Sequence, residues 1–71
     1  MLSVYELVYE RNNRPGEYIV GITSLLEDFE MDRIITDLKR WHRIIRVERL
    51  EEHEYEEVKE EHRTYYKRVG E

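Results

Sequence analysis

His42, His53 and His62 are the residues best suited to chemistry, and the last two lie within the run EEHEYEEVKEEHRTYYKRV that begins at Glu51. Imidazole nitrogen together with carboxylate oxygen is a zinc ligand set, provided the groups converge on one point. The run has the spacing of a helix, and at about 100° per residue His53 and His62 project from opposite sides of it. They cannot share an ion within one chain. His62 falls in the apolar stripe of that helix and reads as a packed histidine at the edge of the core. His42 follows Trp41 at the end of an earlier helix, where an imidazole can cap carbonyls. No metal site and no cofactor are expected.

Covalent catalysis finds even less support. Cysteine is absent, and Ser3 and Ser24 are the only serines. Neither stands in a nucleophile elbow, and no phosphate-binding loop is present. Glutamates abound, but a general acid needs a desolvated pocket, and a chain of 71 residues has little volume in which to build one. An enzyme is not expected.

Two kinds of binding are left. Arg33, Lys39, Arg40, Arg43, Arg46 and Arg49 outnumber Asp37 and Glu48 in the middle of the chain. Arg40, Arg43, Arg46 and Arg49 could track phosphates while tyrosines stack on bases. Against this, the formal net charge is −5, and no aromatic ribonucleoprotein motif or glycine clamp appears. Nucleic-acid binding is therefore the alternative. Protein recognition is the preferred reading, because six tyrosines and one tryptophan are residues favoured at interfaces. Glu56, Glu57 and Glu60 form the candidate partner-binding face, an acidic helix surface presented to a basic partner.

The elements that must carry these groups follow from periodicity. LSVYELVYE alternates, with Tyr5, Leu7 and Tyr9 on the side free of carboxylates, which is the candidate core side. RNNRPGE is turn chemistry, and YIVGIT reads as a second strand completing a hairpin. Ser24 with Glu27 matches a capping box, but the stripe Met31, Ile34, Ile35, Leu38, Trp41 places the helix start near Asp28. RIIRVERL reads as a third strand, with Ile45 and Val47 on one side and Ile44 and Leu50 on the other. The acidic run becomes a second helix, Glu52 to Val69, with Tyr55, Val58, His62, Tyr65, Tyr66 and Val69 in one arc. Its early glutamates and late Arg63, Lys67 and Arg68 suit the helix dipole.

These elements give one α+β domain spanning residues 1–71, ordered ββαβα: a small three-stranded sheet with two helices on one face. A right-handed crossover would allow parallel pairing of the second and third strands. The uncovered face, with Val4, Val8, Ile44 and Leu50, or a free strand edge, is the expected seat of a second copy or a partner, and a homodimer is expected. No membrane span is expected, because no run approaches about 18 apolar residues, and MLSVYELVYE lacks the features of a signal peptide. With cysteine absent, the setting expected is cytoplasmic. The whole points to a small acidic regulatory module that binds another protein. In style it is like the accessory proteins of phages and other mobile elements.

Overall fold

The computed structural model describes residues 1–70. Its elements run β1 (Val4–Arg11), β2 (Tyr18–Ile22), α1 (Asp28–Lys39), β3 (His42–Leu50), a short 3-10 turn (Glu52–Glu54), β4 (Tyr55–Glu60) and β5 (Arg63–Arg68). The first four fall where the sequence pattern places them. The fifth overturns the expected ββαβα architecture, because the acidic run folds as a second hairpin and not as a helix.

The first sheet has the order β2-β1-β3, antiparallel throughout. The parallel or mixed pairing of the second and third strands that a crossover would allow is thus absent: β1 lies between them and binds both. The β1–β2 connection is held by Arg11 N–H donating to Glu17 O, Glu17 N–H to Arg14 O, and Gly16 N–H to the Glu10 carboxylate at 2.9 Å. Gly16 takes a left-handed φ of 87° that other residues adopt only with strain.

The carboxylate-free side of β1 does form the core. Tyr5, Leu7 and Met31 are buried together, with Tyr9, Leu26, Ile34, Ile35, Leu38 and Ile44 packed around them. Helix α1 begins at Asp28, and the N–H groups of Glu30 and Met31 donate to the Glu27 carbonyl. The Ser24 capping box is not formed; Glu27 is the cap residue. The Tyr5 hydroxyl donates to Asp28 Oδ1 at 2.7 Å, pinning the start of the helix to the central strand. At the other end, Arg40 and Trp41 N–H groups donate to the Asp37 and Leu38 carbonyls. Trp41 therefore turns away from the stripe it was expected to complete.

The irregularity in the β1–β3 ladder between Val8 and Tyr9 accounts for a second departure. Val8 opposes Arg46 while Tyr9 opposes Ile44, leaving Ile45 as the extra residue of a bulge. The bulge breaks strict alternation and brings Ile44 round to the Tyr9 side, into the core.

The far face of the sheet is not left bare. Val4 and Leu50, which oppose each other on that face, are buried. Strand β5 approaches β2 and reaches β1 through Arg68 and Glu6. The order of layers is helix, sheet, hairpin. The argument that this face awaits a second copy loses its premise at Val4 and Leu50, because both are buried within the chain itself.

The hairpin has physical reasons of its own. Val58, Thr64, Tyr65 and Tyr66 are strand formers. Its register sets Glu56 opposite Lys67 and Glu60 opposite Arg63, so the acidic first half and basic second half neutralise each other across the ladder. The same polarity imitates a helix dipole when read along one dimension. Residues Glu61 and His62 make the turn, with Glu61 at φ 52°.

Candidate functional site

The candidate residues are distributed as follows. Of the glutamates, Glu56 and Glu60 share one face of the β4–β5 hairpin, whereas Glu57 lies on the other. Each is paired: Glu56 with Lys67 at 3.4 Å, Glu57 with Lys59 at 3.3 Å and Glu60 with Arg63 at 3.3 Å. Tyr65 adds its hydroxyl to Glu60, and the Arg63 guanidinium lies 4.9 Å from the Tyr65 ring centroid. The expected single acidic helix face does not exist; what stands there is a charge-paired ribbon.

The four arginines divide as well. Arg43 pairs with Glu10 at 3.3 Å, and Arg46 donates to Glu6 at 2.6 Å and to Glu48 at 2.7 Å. Both lie on the hairpin side of the sheet. Arg49 opposes Tyr5 and so lies on the helix side. Arg40 and Arg49 have no ion-pair partner among the described residues. A continuous phosphate track through all four is not what the sheet presents.

The histidines do not converge. His53 sits in the 3-10 turn and His62 in the β4–β5 turn, with the whole of β4 between them, roughly 20 Å of extended chain. His62 is exposed and is not the packed core histidine expected. His42 is the first residue of β3 and does not cap the helix; its ring lies 4.9 Å from that of Tyr9, and its Nδ1 is buried without a partner. Among the described residues no group of three or more metal-ligating side chains gathers.

The most perturbed acid is one the sequence pattern did not single out. Glu6 is 6% exposed and directly opposes Glu48 on β3. Two guanidiniums hold these like charges together: Arg68 donates to Glu6 at 2.8 and 3.2 Å and to Glu48 at 3.0 Å, while Arg46 bridges the same two carboxylates. The Arg68 hydrogen bond is the chief cause that pulls the Glu6 carboxyl below its ordinary range, against the opposing effect of burial. Glu6 is thereby held ionised and saturated with donors, which suits a structural tie and not proton transfer.

An exposed aromatic surface beside uncommitted polar groups lies at the α1–β3 junction. Trp41 is 70% exposed. With Asn12, Asn13, Arg40 and His42 it lines a cavity of about 330 Å³. The β1–β2 loop supplies the two asparagines because Arg11, just before them, is paired with His42. The sequence signal was available: a tryptophan after the last helical turn, between Arg40 and His42, is outside the packing stripe once the helix stops at Lys39. Its chemistry is indole stacking, amide hydrogen bonding and one free guanidinium.

The chain matches no protein-family model, and it matches no curated protein and no solved structure. No helix among the described residues is long and apolar enough to cross a membrane.

Proposed function

We propose that the chain is a small non-catalytic recognition module that binds a partner protein through the surface around Trp41. The observation that carries this reading is the exposed indole beside the free Arg40 guanidinium and the Asn12 and Asn13 amides. A large aromatic ring left in water is a costly feature for a small fold to maintain, and tryptophan and arginine are the residues that dominate binding energy at protein interfaces. The matching partner surface presents an apolar side chain flanked by a carboxylate. Such a module acts by occupancy, as a regulator or a mobile-element accessory protein does.

Nucleic-acid binding is the weaker alternative. Arg43 and Arg46 are engaged by carboxylates and Arg49 faces the other side of the sheet, so phosphate contacts would have to displace internal pairs. The test is affinity purification from the source cells with wild-type and Trp41→Ala proteins, read by mass spectrometry. A protein retained by the wild type and lost with Trp41→Ala supports the reading. Equal retention by both, or a shift of short DNA or RNA at physiological salt, overturns it.

A further inference from the structure

Among the described residues the nine-residue strand β3 pairs only with β1, so its other edge is open. The direction of its backbone groups follows from the neighbouring ladder. Thr23 N–H donates to Tyr5 O and Arg11 N–H to Glu17 O, so the odd-numbered residues of β1 bond β2 and the even-numbered ones bond β3. Val8, Glu6 and Val4 oppose Arg46, Glu48 and Leu50; these three residues of β3 point inward, leaving the N–H and C=O groups of Val47 and Arg49 pointing outward, with the bulge at Ile45 beyond them. No other strand of the described residues lies along that edge. Two side chains on this edge are apolar and half exposed, Ile45 at 44% and Val47 at 36%, and the third is Arg49. An open edge of this kind is a template for another strand.

We propose that the occupant is the same strand of a second copy, paired antiparallel about a two-fold axis through Val47. The distribution of charge along the segment selects this partner and this register. About Val47 the sequence is antisymmetric: Arg46 is matched by Glu48, and Arg43 by Glu51. In an antiparallel pairing centred there, Arg46 of each copy faces Glu48 of the other, closing an alternating ring with the Arg46–Glu48 pair already present within each chain. Ile45 faces Arg49, and Val47 meets its own counterpart. The outward backbone groups are in phase for this register, since Val47 opposite Val47 is then a hydrogen-bonded pair. The bulge at Ile45 ends the regular ladder, and Arg49 is its symmetric limit. The two other centres that satisfy the backbone are worse. Centring on Arg49 sets that residue against itself, and centring on Ile45 sets Arg46 against Ile44. The result is a six-stranded sheet with both helices on one face and both hairpins on the other.

The test is the association constant from sedimentation equilibrium, with each variant's fold checked by thermal melting. The wild type is expected to sediment at about twice 8.9 kDa at high concentration, dissociating as salt rises. Ile45→Glu and Ile45→Lys remove the same apolar surface but face Arg49 of the other copy with opposite charge. The glutamate variant is expected to associate at least about tenfold more tightly than the lysine variant, because the effect occurs twice per dimer. Val47→Lys is expected to give a folded monomer. A monomer at every concentration overturns the proposal. So does a dimer in which Ile45→Glu and Ile45→Lys weaken association equally, or one indifferent to Val47→Lys. None of these variants touches the Trp41 surface, so failure here leaves the recognition reading standing.

Discussion

Arg68, at the end of the last strand, holds Glu6 of the first through Nε to Oε2 at 2.8 Å and Nη2 to Oε1 at 3.2 Å. The contact links residues 62 positions apart and ties the hairpin layer to the sheet. Because the tie is made between ionised groups, stability should depend on acid in a defined direction. The Glu6 carboxyl is depressed in the folded chain, so the stability it contributes is complete above the ordinary carboxylate range and is lost as pH falls through the lower folded value. Urea melts from neutral pH down to about pH 2 should show this loss. Glu6→Gln should lower stability near neutral pH by about 2 kcal/mol and flatten the acid dependence.

Glu61 sits at φ 52° in the two-residue turn of the C-terminal hairpin, a conformation that costs a residue with a Cβ about 1 kcal/mol. Its side chain is exposed, so nothing is lost by removing it. Glu61→Gly should raise the melting temperature by several degrees, roughly 1 kcal/mol. An unchanged or lower melting temperature would show that the turn carries no strain.

This turn also explains which part of the fold was legible. Strands β1, β2 and β3 and helix α1 were readable because Tyr5, Leu7 and Tyr9 alternate and Met31, Ile34, Ile35 and Leu38 recur at helical spacing, and because Asn13, Pro15 and Gly16 mark the turn between the first strands. The C-terminal hairpin was not. Its turn, Glu61–His62, contains neither Asn nor Gly, so the strongest local hairpin signal is missing. Its glutamates are good helix formers, and Tyr55, Val58, His62, Tyr65 and Tyr66 happen to fit one helical arc. Tertiary pairing of Glu56 with Lys67 and of Arg68 with Glu6 decides the matter, and neither partner is visible locally. The candidate site suffered accordingly: Glu56, Glu57 and Glu60 were placed on one face only because a helix was assumed.

The hairpin's cross-strand charges offer a direct check on its register. Glu56→Lys sets two cations opposite each other, and Lys67→Glu sets two anions there. Each should lower stability by a few tenths of a kcal/mol, as expected for exposed pairs. The double exchange, Glu56→Lys with Lys67→Glu, should recover most of the loss. Additive losses in the double variant would contradict the pairing.

Tyr5→Phe should cost about 1 kcal/mol by removing the hydrogen bond to Asp28 while leaving the ring in the core. The wild-type phenol is pushed above its ordinary value, chiefly by that hydrogen bond. Its contribution is therefore present below about pH 10 and declines as pH rises through the folded value. Chemical denaturation above that pH should find the difference between wild type and Tyr5→Phe shrinking.

The arginines give the last expectation, and the structure dictates which of them can be used. Reversing Arg46 would strip Glu6 of one of its two guanidinium partners, so lost binding could reflect a loosened fold. Arg40 and Arg49 have no carboxylate partner among the described residues, and replacing them disturbs no internal ion pair. Arg40→Glu with Arg49→Glu should therefore melt close to the wild type, within about 0.5 kcal/mol. If the chain binds proteins and not phosphate backbones, short DNA and RNA should fail to shift with either protein at physiological salt. Retention of the partner protein should weaken in the double variant, because Arg40 flanks Trp41. A wild-type shift that the double reversal abolishes, with the fold intact, would instead mark these two arginines as phosphate contacts and favour nucleic acid.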